Sequence, residues 1–398
     1  MMVVHMKICD NAKCTGCFAC MNICPKGAIS VQMDKLGKTI PQIDSKMCVS
    51  CGACQKVCPE NHPVEQKRPV YTYAVWSKNE NDVKYSSSGG AAAVFGRFVL
   101  RQDGVVFGSA SMDGTIKHIK VESENEMEML RGSKYVQSEI GYSYREVKNE
   151  LDTQRKVLFI GTPCQVAGLK NYLHKDYENL FTIDLVCHGT PPISYLHEHL
   201  VNVLRKNEEW EKIAFRGEYD YSLTVEYGKK ILYQRKKEQD TYFKAFLDGL
   251  ICRDNCYICR YSCPKRVSDI TVADFWGIDR TSLKCPYNGK ISLVLSNTEK
   301  GNTFFQKCEN EFFWEKRTLE EAMNPEQGNL LHPSMPHKDR DKFVNNYVKY
   351  GFEKAVRKTS IGKNVKKERI KEWIKKQSIY YVVRNIKRLV RRDNENLF

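Results

Sequence analysis

Cys14-Thr-Gly-Cys17-Phe-Ala-Cys20-Met-Asn-Ile-Cys24-Pro25 is answered by Cys48-Val-Ser-Cys51-Gly-Ala-Cys54-Gln-Lys-Val-Cys58-Pro59, and the second run starts 34 residues after the first. Each reads C-x2-C-x2-C-x3-C-P. Small residues inside the runs (Thr15, Gly16 and Ala19; Ser50, Gly52 and Ala53) allow a tight loop in which three thiolates converge on one cubane, while the sulfur before proline points away and reaches the other. The expectation is one 4Fe-4S cluster on Cys14, Cys17, Cys20 and Cys58, and a second on Cys48, Cys51, Cys54 and Cys24. Structural zinc favours paired C-x2-C ligands set far apart, and disulfides call for an oxidising compartment; both fit this spacing less well.

The chain of 398 residues, 41% hydrophobic and 28% charged, is long enough for two or three domains with a sizeable core. No stretch approaches the ~20 apolar residues of a membrane span, and no apolar signal core precedes Cys9. A cytoplasmic, reducing location is therefore expected, which also suits 17 cysteines without a disulfide pattern. The net charge of +15 is concentrated at one end: twelve basic residues from Lys363 to Arg392 face only Glu368 and Glu372. The remaining body needs no polyanion to explain it, so nucleic-acid binding is not expected.

The pattern divides the chain into an α+β ferredoxin-like two-cluster module (1–63), two parts of an α/β domain (70–152 and 153–324) and a basic helical tail (325–398). Pro63 and Pro69 mark a stiff linker. After a strand at Tyr71–Ser77 and a turn at Asn79–Asn81, Ser86-Ser87-Ser88-Gly89-Gly90 opens the helix-prone stretch Ala91–Leu100, where free backbone N–H groups and the helix dipole favour an anion. Paired strands follow at Gly104–Ser109 and Thr115–Glu122, then the loop Arg131-Gly132-Ser133-Lys134-Tyr135-Val136-Gln137-Ser138, with two cations and an aromatic ring suited to a phosphorylated, stacked ligand. A buried strand at Lys156–Ile160 leads to Gly161-Thr162-Pro163-Cys164-Gln165, with Thr162 placed to cap a helix, Pro163 at its first position and Cys164 in its first turn, where the dipole favours thiolate. A strand at Leu180–Val186 ends at Cys187-His188-Gly189. In a parallel sheet these strand ends form the ligand-binding edge. A small antiparallel excursion spans Lys212–Gln234. Cys252, Cys256, Cys259 and Cys263 then form a metal-like group: zinc could use these four, or an iron-sulfur cluster could combine Cys256 and Cys259 with Cys164 and Cys187. Cys9, Cys285 and Cys308 lack ligand spacing. One strand and mixed helices are expected beyond Ile291.

Taken together, Ser87-Ser88-Gly89-Gly90, the loop at 131–138, Gly161-Thr162-Pro163-Cys164-Gln165, Cys187-His188-Gly189, Cys256-Tyr-Ile-Cys259 and the strand from Asp269 to Gly277 resemble, in order, the beta subunit family of coenzyme F420 hydrogenase and dehydrogenase, here behind a ferredoxin module. Ala273 stands before Asp274 where that family usually has glycine. Reductases of chlorophyll intermediates and proteins of polysaccharide-biosynthesis clusters are similar. The resemblance implies an α/β flavoprotein domain with FAD held by Ser87, Ser88, Gly89, Gly90, Arg131, Ser133, Lys134, Tyr135, Gln137, Gly161, Thr162 and Gln165, and a third 4Fe-4S cluster with Cys164, Cys187, Cys256 and Cys259 as ligand candidates. It further implies an oxidoreductase that exchanges electrons with a ferredoxin or other redox partner protein and hydride with a small-molecule substrate; no catalytic residue is singled out. The rival expectation is an adaptor that wires two proteins without its own substrate, which an occluded flavin ring would favour over a substrate-sized cavity. Apolar residues of the tail, among them Ile370, Trp373, Ile374, Ile379, Val382, Val383, Ile386, Leu389 and Val390, recur at three- and four-residue steps among basic ones. They make the tail a candidate for packing on the body or for peripheral contact with the inner face of a membrane.

Overall fold

The computed structural model describes residues 7–206, 208–217, 220–287 and 289–377. The amino-terminal module is built on a two-stranded antiparallel hairpin, Ile29–Met33 with Thr39–Ile43, and two short helices, Ala19–Ile23 and Ala53–Lys56. Its two cysteine loops are conformational copies. Gly16 and Ser50 (φ 67° and 54°) occupy equivalent positions, as do Phe18 and Gly52 (φ 53° and 73°), all in the left-handed region. Each loop thus uses one glycine where that conformation is free and forces one side-chain-bearing residue into it.

The body is organised by an eight-stranded mixed sheet in the spatial order Phe312–Arg317, Tyr71–Ser77, Ser292–Ser296, Ile270–Asp274, Leu180–Leu185, Val157–Gly161, Val105–Met112 and Thr115–Val121. The four strands from Ile270–Asp274 to Val105–Met112 run parallel, and the outer pairings are antiparallel. The parallel strands are almost wholly buried, as their Val, Leu, Ile and Phe content requires when both faces are covered. Their carboxyl ends release Gly161, Leu185 and Asp274 on one side of the molecule, where the candidate ligand residues follow. A separate three-stranded sheet comprises Lys212–Ala214, Ser222–Tyr227 and Lys230–Lys236, the expected excursion.

Two elements differ from the sequence reading. Asn79–Asn81 is the start of a helix, Glu80–Tyr85, because the Asn79 side chain accepts from the Asn81 N–H and caps it. Beyond Ile291 the described residues hold two strands, the second being Phe312–Arg317 at the sheet edge, where Trp314 and Lys316 are exposed on one face while Glu315 and Arg317 pair with each other (2.8 Å) on the other. The described residues after 325 are mostly helical. Phe343, Tyr347, Phe352, Ala355, Val356, Ile361 and Val365 are buried in one apolar cluster with the helices Ile193–Val203 and Thr241–Leu247. Further along the helix Ser360–Lys376 the packing stops: Ile370, Trp373 and Ile374 are exposed, Trp373 at 64%. The remaining tail positions, Ile379 to Val390, lie outside the described residues.

At the heart of this helical cluster His199 is enclosed by two carboxylates. Its Nδ1 lies 2.5 Å from Glu353 Oε1 and its Nε2 2.8 Å from Asp240 Oδ2. Burial works against a charged ring, but the two carboxylates outweigh it and raise the His199 pKa from 6.5 to about 9. The stability from this charged ring is complete below pH 6.5 and is lost as pH rises through about 9. The thermal midpoint should therefore fall between neutral pH and about pH 10 in the native chain. His199→Phe, which strips buried Asp240 of its cation and leaves Glu353 only Arg357 (3.5 Å), should cost about 3–5 kcal/mol at neutral pH and remove this alkaline transition.

Candidate functional site

A cavity of ≈ 420 Å³ opens at the carboxyl ends of the parallel strands. Its wall takes in the segments Ser86–Ser88 and Gly90–Ala93, the loop Arg131–Ser138, Gly161, Thr162, Cys164, Gln165, Cys187–Thr190 and Asp274, with Trp276 among its lining residues and Thr15 of the amino-terminal module on another part. Of the residues expected to bind flavin, all but Gly89 line it. Gly89 lies just behind, in a spot where a Cβ would meet Val75 O at 2.5 Å and Ser292 N at 2.8 Å.

The helix Ala91–Leu100 begins against this cavity. Its N-cap, Gly90, is left-handed (φ 86°) and no side chain caps the first turn, so the leading N–H groups are left for another acceptor. The serines before it join the loops to each other: the Ser133 N–H donates to Ser87 Oγ (2.7 Å), and Ser88 Oγ donates to the Ile291 carbonyl (2.8 Å). Lys134 turns inward, its ammonium donating to the carbonyls of Leu130 and Arg131 (both 2.9 Å). No carboxylate reaches it, and burial lowers its pKa to about 7. Arg131 lies 3.6 Å from buried Asp82, and its Nε is buried without a hydrogen-bond partner. Tyr135 packs its ring on Phe246 and Phe243 (5.1 and 5.5 Å between centroids), so its faces are largely taken by the core.

Thr162 and Gln165 behave as the cap signal predicts. The Thr162 N–H donates to Gln165 Oε1 (2.9 Å) at the start of the helix Pro163–Leu173. Gln165 also donates through Nε2 to Ser138 Oγ (3.1 Å), and Ser138 Oγ donates to His118 Nδ1 (2.8 Å). His118 donates from Nε2 to the Ile160 carbonyl and is held neutral by burial, its pKa pushed down to about 4.

The thiols of Cys164, Cys187, Cys256 and Cys259 lie within electrostatic reach of one another at this edge. The Gly189 N–H donates to Cys187 Sγ (3.3 Å) and the Thr190 N–H to Cys256 Sγ (3.5 Å). Burial, reinforced by the neighbouring thiols, raises the pKa of Cys164, Cys187 and Cys256. For Cys164 this reverses the expectation from the helix start: desolvation overrides the dipole, and without a bound cation the group is a neutral thiol. Cys252 is fully buried in the adjoining apolar cluster beside Cys256 and Cys187. Cys263 is turned away and donates to Gln66 Oε1 (3.2 Å).

In the amino-terminal module Cys14, Cys17, Cys20 and Cys58 are buried and mutually close, while Cys24, Cys48, Cys51 and Cys54 surround a small cavity of their own. The eight thiols thus fall into the same two groups that the spacing names. Cys9, which has no ligand spacing, sits against Cys14 and Cys58. The first set meets the body closely. Cys17 shares an apolar cluster with Cys164 and Cys259, and a Cβ on Gly168 would approach Cys17 Sγ to 3.0 Å.

Sequence reading missed several residues that assemble this arrangement. Arg216 donates to Tyr135 Oη (2.7 Å), the Ser87 carbonyl (3.1 Å) and Asp274 Oδ2 (2.7 Å), tying three walls of the cavity together. Arg253 donates to Gln137 Oε1 (2.7 Å) and to the Thr39 and Cys14 carbonyls (both 3.1 Å). Gln137 itself donates to the Gly16 carbonyl (3.0 Å), so it bridges module and body as well as lining the cavity. His188 donates from Nδ1 to Asn329 Oδ1 (3.0 Å), while its Nε2 is buried and unpartnered. These partners come from segments far apart in the chain, and no local pattern announces them.

Residues 13–62 match the family model of a 4Fe-4S dicluster domain, and residues 154–322 match that of the carboxyl-terminal part of the coenzyme F420 hydrogenase/dehydrogenase beta subunit. With its paired cysteine loops fused to an α/β body, the chain is an iron-sulfur protein of the oxidoreductase class. Over residues 154–322 its body matches the carboxyl-terminal part of the coenzyme F420 hydrogenase/dehydrogenase beta subunit family, with a dicluster domain ahead of it. Among solved structures, one of the F420-reducing NiFe hydrogenase complex from Methanosarcina barkeri, a xenon derivative, is similar with 18% identity and a TM-score of 0.44, covering 73% of this chain and 91% of that one. No curated protein matches. Among the described residues no helix is long and apolar enough to cross a membrane.

Arg253→Met removes the buried donor shared by Gln137, Thr39 and Cys14. Each orphaned acceptor costs about 1–3 kcal/mol, so limited proteolysis of the anaerobic protein should cut between module and body much faster than in the native chain. An unchanged cleavage rate would show that other contacts carry the junction.

Proposed function

We propose that the chain is an iron-sulfur flavoprotein oxidoreductase that moves electrons between its dicluster module and an FAD in the large cavity, with hydride exchange to a small organic substrate such as a deazaflavin or a sugar derivative. The observation that carries this reading is the cavity itself, which brings together an uncapped helix start, a buried ammonium and two thiols, Cys164 and Cys187, behind which Cys256 and Cys259 lie within electrostatic reach. Buried groups without partners are costly, and Arg131 Nε and His188 Nε2 are two such atoms on residues that line this cavity, beside Lys134, whose ammonium meets only backbone carbonyls. They suit a ligand with anionic and hydrogen-bonding groups.

In this proposal the N–H groups at Gly90–Ala92, with Lys134 and Arg131, hold the FAD phosphates. Cys164, Cys187, Cys256 and Cys259 hold a third 4Fe-4S cluster, with the Gly189 and Thr190 N–H groups donating to its sulfurs. FAD, when bound, stores single electrons arriving from clusters until two are available for hydride chemistry. Gly168 keeps helix Pro163–Leu173 thin enough for Cys17 to approach, and Tyr144 and Tyr261, both near Cys17 and Cys164, fill the space between the two thiol groups and exclude water. Trp276, 42% exposed on the cavity lining, supports an opening to substrate and therefore the enzyme over the adaptor. The redox partner is a separate carrier protein or another member of a complex. For the tail, exposed Ile370, Trp373 and Ile374 beside Lys371, Lys375 and Lys376 support peripheral contact with an anionic membrane face.

Anaerobically purified protein should contain about twelve iron atoms and one flavin, from three cubanes. Cys256→Ser should lose about four of those iron atoms while the dicluster signals remain; full iron content in that variant, or zinc in place of the third cluster, would remove the assignment. Lys134→Ala should weaken FAD binding by about 1.5–3 kcal/mol, the worth of a charge-assisted contact. The native apoprotein's affinity should fall as pH climbs above about 7, where Lys134 loses its proton, and the Ala variant should lack that dependence.

A further inference from the structure

Of the twelve cysteines assigned above to clusters, Cys51 alone is exposed. The cluster set that includes Cys17 is walled in by module and body, and the third set faces the large cavity. An electron from outside therefore meets the chain first at the cavity lined by Cys24, Cys48, Cys51 and Cys54.

The skin around that cavity is unusual for a free surface. Val49, 59% exposed, lines it, and Met47, 48% exposed, stands beside it. Around this apolar centre Lys26, Lys46 and Lys56 are exposed, and none has an ion-pair partner among the described residues. The nearest acid in the loop, Asp44, is turned back to accept from the Lys46 N–H (2.8 Å). An apolar centre with a charged rim is the anatomy of a transient protein contact, and unpaired charge of one sign at the rim steers a partner of the other sign.

We propose that this face docks a small electron-carrier protein whose own redox centre is framed by acidic residues. The step is an outer-sphere transfer: the reduced carrier loses one electron, the cluster on Cys24, Cys48, Cys51 and Cys54 gains it, and no bond or proton moves. A lipid surface or nucleic acid would match the charge but not the exposed cluster ligand at the centre. The inference rests on the reading of those four cysteines as a cluster site.

The test uses the anaerobic holoprotein and a reduced acidic two-cluster ferredoxin as probe, mixed rapidly while iron-sulfur bleaching is followed. The native rate should fall about tenfold from low to high salt, and Lys46→Glu/Lys56→Glu should lower the low-salt rate by about tenfold. Photoreduction by deazariboflavin, a neutral donor that needs no docking, should be equal in both proteins, and Lys363→Glu/Lys366→Glu should leave the ferredoxin rate unchanged. A native rate indifferent to salt, or equal ferredoxin rates in the native and Lys46/Lys56 proteins, overturns the proposal. The salt dependence needs no variant, so it decides the matter even if the double variant loses its cluster. Normal bleaching without flavin reduction would instead sink the internal relay and leave the docking face standing.

Discussion

A guanidinium that is 1% exposed holds the amino-terminal module to the body. Arg253 is planar and permanently charged, and its donors reach the hairpin at Thr39, the cysteine loop at Cys14 and the cavity wall at Gln137. Burying such a charge is costly; its two terminal nitrogens are met by well-placed acceptors, while Nε is buried without one. The left-handed Gly16 makes the arrangement sterically feasible, since a Cβ there would come within 2.1 Å of Gln137 Nε2. Around this junction Lys38 pairs with Asp254 (2.6 Å), Ser194 Oγ donates to the Gly37 carbonyl (2.8 Å) and Arg145 donates to the carbonyls of Asn22, Met21 and Cys24. The consequence is that Cys17 and Cys164 are kept in one apolar layer, a closeness that electron transfer between iron-sulfur centres requires.

What could be read from the sequence was what is local in it. Cysteine spacing within a short loop is a geometric demand on nearby residues, so the grouping of the eight amino-terminal thiols is legible in it. The same holds for the Thr162, Pro163 and Gln165 helix start, and for the glycine turn before Ala91. Functions carried by long-range partners were silent. Arg216 gives no signal in a strand-turn segment, yet it ties Ser87, Tyr135 and Asp274; Arg253 sits one residue after Cys252 and drew no attention beside it. Cys164 illustrates a local rule losing to tertiary context: the helix start favours thiolate, but burial costs more than the dipole returns. Phe312–Arg317 shows how an edge strand hides from hydrophobic patterning when it exposes Trp314 and covers the ion pair of Glu315 and Arg317.

The carboxyl-terminal region divides along similar lines. Its charge was legible, but the buried His199, Asp240 and Glu353 group joins three distant helical segments and could not be seen in any one of them. That group makes residues up to Val365 part of the body, and exposure of Ile370, Trp373 and Ile374 begins only beyond it. Positive charge is therefore present at two separate places, the outer face of the module and the far helix, and the exposed thiol ligand distinguishes the first from the second.

The account as a whole stands on the electron capacity of one chain. Coulometric titration of the anaerobic holoprotein counts it directly: three cubanes taking one electron each and a flavin taking two predict about five electrons per chain. An uptake of about two, the capacity of the dicluster module alone, would contradict the reading of the large cavity and its four thiols as a redox site.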